Sequence, residues 1–112
     1  MANTFKLVNN AVMSSVADTT DALYTVPSST TTIILGLTLC NVHTAQVSAT
    51  VEIVDTSAGI TSTVIKDAPI PVGGSLEIMS GNKIVVETTD VVKVSSSIAD
   101  KISATMSIME IT

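Results

Sequence analysis

The chain has 112 residues, enough for one domain that buries roughly two thirds of the surface its unfolded form exposes, so it needs no metal or disulfide to fold. Hydrophobic residues make up 46%, charged residues only 13% and aromatics 2%, with a formal charge of −5. Five basic residues cannot form a basic stripe, which argues against a nucleic-acid partner, and the negative potential disfavours anionic membrane surfaces.

The chain opens with "MANTFKLVNN", which lacks the basic region and apolar core of a secretory signal. A first strand is expected near 4–13 and a second near 21–26. Pro27 and the hydroxyl run "SSTTT" read as the turn before a third, near 31–42. That strand, "TTIILGLTLCNV", is apolar on both faces, which places it centrally or under an interface. Gly36 within it hints at a bulge or a close backbone approach.

A fourth strand near 46–55 alternates strictly: Val47, Ala49, Val51 and Ile53 on one face, Ser48, Thr50 and Glu52 on the other. Further strands are expected near 60–66, 74–80, 83–88 and 91–96. Gly81-Asn82 reads as the turn joining the 74–80 and 83–88 strands, and Thr89-Asp90 as the next turn. The last strand, near 101–111, repeats the alternation with Ile102, Ala104, Met106 and Ile108 facing one way. No 18-residue apolar run exists to cross a membrane as a helix. "SSIADKIS" supplies at most one helical turn. Turn signals recur about every ten residues, so the expected fold is all-β: an antiparallel sandwich or jelly-roll-like domain of about eight to nine strands without substantial helix. One domain is expected over 1–112, with arm-like termini near 1–12 and 106–112.

The chemistry-bearing residues are few. His43, in "NVHTAQ", reads as an exposed residue of a hairpin-like turn. Cys40, the single cysteine, reads as a small buried hydrophobe, and no third residue completes a Cys–His pair. One cysteine also permits no intrachain disulfide and no cysteine metal cluster. Asp18 and Asp21 in "ADTTDA" come nearest to a calcium loop, yet lack its glycine and terminal glutamate. Two aromatics, Phe5 and Tyr24, are too few for a sugar- or base-stacking platform. In "KDAPIPVGGSLEIMSG" the glycines lead into a strand, where a phosphate loop would lead into a helix. Pro69 and Pro71 mark that segment as an edge or a rigid extended connection, whose role is to hold a sandwich edge or to present Ile70 to a neighbour. No catalytic set, metal site or cofactor site is expected.

Three stretches, "ALYTVPSSTTTIILGLTLCN", "KDAPIPVGGSLEI" and "VVETTDVVKVSSS", resemble a family of small virion structural proteins from tailed bacteriophages, many of them marine. The family pattern is met by Leu23, Tyr24, Thr25, Pro27, Gly36, Leu37, Pro71, Gly73 and Asp90. The sequence departs from it at Ser28-Ser29, where a small residue plus glycine is usual, and at Thr89, where glycine precedes the aspartate. The resemblance implies a β-sandwich in a virion assembled in the host cytoplasm. The chain then reads as a capsid decoration or cement protein that bridges capsomers as a trimer. Its expected partners are copies of itself and the major capsid protein or other virion proteins. The alternatives are a neck, tail or baseplate component and, in a different class, a sugar- or calcium-binding sandwich. Phe5, Leu7, Ile70, Met109 and Ile111 are the candidate interface residues.

Overall fold

The computed structural model describes residues 2–13, 15–78 and 83–112. These residues contain nine strands and no helix. The strands are β1 (Asn3–Met13), β2 (Asp21–Thr25), β3 (Thr31–Asn41), β4 (Val47–Asp55), β5 (Ile60–Ile70), β6 (Ser75–Glu77), β7 (Ile84–Val86), β8 (Val91–Ser96) and β9 (Ile102–Ile111). They form two antiparallel sheets. Sheet A runs β1-β9-β3-β6, with β7 also on β3, and sheet B runs β2-β8-β4-β5.

The pairing has a simple origin. Strand β4 turns back into β5, and from there the chain retraces its path: β3 meets β6 and β7, β2 meets β8, and β1 meets β9. This long ribbon is rolled up, and the β9–β3 and β8–β4 ladders close the roll. The result is a jelly roll. Strands β6 and β7 both run antiparallel to β3, at Thr38–Cys40 and Thr32–Ile34 respectively. They therefore lie in line along one edge and do not form the expected hairpin. The Gly81-Asn82 pair itself lies outside the described residues.

Period-two alternation fills the space between the sheets. The inward residues of β9 (Ile102, Ala104, Met106, Ile108) and of β3 (Ile34, Leu37, Leu39) face Val47, Ala49 and Val51 of β4 and Val92 and Val94 of β8. Val, Ile and Ala at these positions suit a thin core because branched or short side chains interdigitate with few rotamers to lose. The hinted bulge is present: the β3–β9 register shifts between Ile34 and Gly36. That shift keeps both Ile34 and Leu37 inside, although an odd spacing separates them.

Two expectations change: where the fifth strand ends, and the arm-like termini. Strand β5 continues to Ile70, beyond the expected end at 66, and its late residues carry Pro69 on a true sheet edge. After it, "PVGG" is a tight corner that carries the chain from sheet B to sheet A. The Gly74 amide donates to the Pro71 carbonyl at 2.9 Å, and Gly73 takes a positive φ, as a type II turn requires. A Cβ on Gly74 would stand 2.9 Å from Pro71 Cγ, so the second glycine serves close packing. Last, the expected arms lie within sheet A: residues 3–12 belong to β1, paired with β9, and residues 106–111 are not an arm either. They belong to β9, hydrogen-bonded between β1 and β3.

The two departures from the family pattern fall on left-handed backbone. Ser29 has φ +53° and Thr89 φ +72°, the region glycine occupies without cost. Both turns therefore hold a side chain where glycine would be unstrained. A Cβ there costs about 1–2 kcal/mol, against about 0.5–1 kcal/mol of extra chain entropy for glycine. Ser29→Gly is therefore expected to stabilise the fold by about 0.5–1 kcal/mol, read as a Tm higher by several degrees in a calorimetric scan. An unchanged or lower Tm would show that the turn carries no such strain.

Candidate assembly face

Sheet register brings distant apolar residues together on the outer side of sheet A. Phe5 of β1 stands opposite Met109 of β9, Met109 opposite Ile33 of β3, and Ile33 opposite Val85 of β7. One row of apolar side chains thus crosses the sheet. Leu7, two residues along β1, lies on the same side, and so does Ile111, opposite Asn3 and Thr31. Phe5 is 72% exposed, Leu7 63% and Val85 60%, while Met109 and Ile111 are half-buried. Scattered apolar residues on a surface mean little, but a contiguous row aligned by register is unusual for a surface left to water.

Four of the five candidate interface residues therefore share one face. The fifth does not. Ile70 is 1% exposed and belongs to the core. It closes the inward row of β5 opposite Val47, so it has nothing to present to a neighbour.

A polar group sits at one end of the sandwich, on the inner side. The buried face of β9 runs Ile102, Ala104, Met106, Ile108 and then reaches Glu110, which is 5% exposed. Its carboxylate accepts the Tyr24 hydroxyl from β2 and an ion pair from Lys6 Nζ of β1 at 2.7 Å. Since Tyr24 gives its proton to Glu110, the Thr32 hydroxyl donates to the Tyr24 oxygen at 2.9 Å. This clasp joins both sheets through four strands. Burial, then the hydrogen bond to Glu110, pushes the Tyr24 hydroxyl up to about 12. The Lys6 and Tyr24 hydrogen bonds hold the Glu110 carboxyl below its usual range. Sequence patterning missed this site. The available signal was a carboxylate landing on the buried phase of a two-residue period, which demands a partner.

The remaining chemistry-bearing residues are dispersed. Cys40 is half-buried and faces the outer side of β3, where a buried position was expected. His43 is half-buried in a connection that crosses from sheet A to sheet B, where an exposed hairpin turn was expected. That connection is organised by Asn41. Its amide group donates to the Ala45 and Ile70 carbonyls at 2.9 Å each, and its oxygen accepts the His43 amide at 2.7 Å. Asp90 does similar work, accepting the amides of Thr56 and Glu87. Asp21 accepts the amide and hydroxyl of Ser15. Asp18 instead lines a polar depression of about 210 Å³ on the outer side of sheet B, with Thr50, Glu52, Lys66 and Asp67. No three His, Cys, Asp or Glu side chains converge as metal ligands among the described residues. Neither aromatic ring reaches the depression: Phe5 is on sheet A, and Tyr24 points into the clasp.

No protein-family model and no curated protein matches the sequence. Solved structures do match the fold. A chain from the acid-stable capsid of the Helicobacter pylori bacteriophage KHP30 aligns with a TM-score of 0.57 at 12% identity, over 97% of this chain and 90% of that one. A virus capsid carries this fold at this size. The T13 particle of infectious bursal disease virus (IBDV) aligns with a TM-score of 0.61 at 14% identity, over 96% of this chain. This chain spans only 30% of that one. A subunit of the disulfide-linked pili of Bacillus endospore appendages aligns with a TM-score of 0.52 at 18% identity, over 99% of this chain and 87% of that one. At such identities the likeness establishes the fold alone, and a fold does not by itself carry a function.

Proposed function

We propose that this chain is a structural component of a virus particle, a capsid decoration or cement protein that packs against capsomers and copies of itself. The observation that carries the reading is the near-complete two-way match to a chain of similar length in a bacteriophage capsid. The IBDV match, by contrast, covers a fraction of a larger chain, so it supports the fold and not the role. The apolar row on sheet A gives the reading a physical basis, since its burial in an assembly removes Phe5, Leu7 and Val85 from water. A trimer on a local three-fold axis, bridging neighbouring capsomers, is the arrangement this reading takes from the family resemblance.

The test is reconstitution. Capsids lacking the protein are expected to bind the purified chain saturably, with copy numbers in the hundreds by quantitative mass spectrometry. A few copies per particle would move the protein to the neck, tail or baseplate. No binding to any particle would defeat the virion reading.

The pilus likeness favours one competitor, a fibre subunit. A covalently linked fibre needs at least two cysteines per subunit, and these 112 residues contain one. A fibre of this chain would have to hold without continuous disulfide links. Electron micrographs of the concentrated protein separate the two readings, because filaments without capsids would favour the fibre.

A further inference from the structure

A jelly roll has four open sheet edges, and here three of them are blunted. Among the described residues, the β6/β7 edge holds two strands of three residues each. The β2 edge has five residues and a register shift between Ala22 and Tyr24. The β5 edge carries Pro69, a left-handed Asp67 and two register shifts against β4. Such devices discourage strand addition. The fourth edge, β1, has eleven residues, no proline and an unbroken register from Asn3 to Asn10.

The direction of its free hydrogen-bonding groups can be read off. Ala2 and Thr112 exchange both backbone hydrogen bonds, at 3.1 and 2.9 Å. Antiparallel ladders alternate, so Thr4, Lys6 and Val8 also bond to β9. The amides and carbonyls of Asn3, Phe5, Leu7 and Asn9 therefore point out along the open edge. These include the residues whose side chains form the apolar row.

We infer that β1 pairs antiparallel with β1 of a second copy of this chain, about a two-fold axis at Phe5. This deepens the assembly reading and names its partner at one edge. Two features select the occupant and the register. First, β1 carries one charge, Lys6, which is already paired with Glu110, so this edge is neutral on a chain of net charge −5. Second, a two-fold axis at Phe5 sets Phe5 against Phe5 and joins the two apolar rows end to end: Val85, Ile33, Met109 and Phe5 from each copy. An axis at Lys6 would instead set ammonium against ammonium, which disfavours it. With the axis at Phe5, Lys6 meets Thr4 of the other copy. Such a contact also joins copies that belong to neighbouring three-fold clusters, which is what bridging requires.

Sedimentation equilibrium of the full chain is expected to show a monomer–dimer equilibrium. Phe5→Lys is expected to raise its dissociation constant more than about tenfold, with the Tm of the monomer unchanged because Phe5 is exposed there. Cysteine pairing then reads the register in a Cys40→Ser background. Phe5→Cys is expected to form a disulfide-linked dimer on mild oxidation, since opposite residues lie within about 5.5 Å. Leu7→Cys is not, because the two sulfur-bearing residues would stand more than about 13 Å apart. A wild-type chain that stays monomeric at all accessible concentrations overturns the pairing, even if it still decorates capsids. So does a dimer that ignores Phe5→Lys, or one that crosslinks through Leu7→Cys and not through Phe5→Cys. A dimer that passes these tests but fails to bind capsids leaves the pairing intact and defeats the virion reading alone.

Discussion

Replacing Glu110 with alanine is expected to destabilise the chain by about 2–4 kcal/mol, measured by denaturant titration at neutral pH. The variant removes a buried carboxylate that accepts the Tyr24 hydroxyl and the Lys6 ammonium. Glu110→Ala leaves Lys6, which is half-exposed, to turn to water at little cost, whereas Lys6→Ala leaves the buried carboxylate without its cation and should lose about 1–3 kcal/mol. Tyr24 cannot turn away so easily, because its ring packs against the core. Tyr24→Phe is expected to lose about 1.5–3 kcal/mol for one charge-assisted hydrogen bond. A Lys6→Ala effect larger than that of Tyr24→Phe would mean that the ion pair, and not the hydrogen bond between the sheets, holds the clasp.

The pH dependence follows from the directions of the shifts. Glu110 is held below the ordinary carboxyl value of 4.5, so its contribution is complete above that value and is lost as pH falls through the lower, folded one. Tyr24 is raised from 10.0 to about 12, so its contribution is complete below pH 10 and is lost between 10 and about 12. The chain has one tyrosine and no tryptophan, so phenolate absorbance reports Tyr24 without interference. Its midpoint is expected near 12 in the folded protein, and near 10 after unfolding. A folded midpoint near 10 would show that the hydroxyl is not held.

The sandwich was legible because nearly every strand obeys a two-residue period. β4 and β9 bury the side chains that alternation assigns inward, as Val47, Ala49 and Val51 and as Ile102 to Ile108 show. The Gly36 bulge was legible for a similar reason, since a glycine within a strand has few other uses. Pairing was not legible. Alternation fixes which side chains point inward, but it does not say which strand lies beside which. The in-line arrangement of β6 and β7 on β3 is a fact of topology. The apolar row was half visible, since Phe5, Leu7, Met109 and Ile111 attract notice as apolar residues near the termini. Ile33 and Val85 entered only when register set them beside Met109. The clasp and the Asn41 hub were hidden because each joins residues far apart in the chain: Tyr24 with Glu110, and Asn41 with Ile70.

Ile70 offers the sharpest contrast between core and face. Flanked by Pro69 and Pro71, it reads in sequence as a residue held out on a rigid connection. In the fold the prolines hold the chain at the sheet edge while the isoleucine turns inward, 1% exposed, and its carbonyl accepts from the buried Asn41 amide. Ile70→Asp would place a carboxylate opposite Val47, within the apolar core. Losing the apolar burial and desolvating the charge together cost more than about 5 kcal/mol, comparable to the whole stability of a small domain. Ile70→Asp is therefore expected to be unfolded or insoluble, with no cooperative melt. Phe5→Asp, which adds the same charge on the outer face, is expected to melt within about 0.5 kcal/mol of the parent. A folded, soluble Ile70→Asp that fails only in assembly would restore the presenting role and place this corner at an interface. Equal loss of fold in both variants would show that the outer row of sheet A is part of the monomer's own stability and not a surface held for a neighbour.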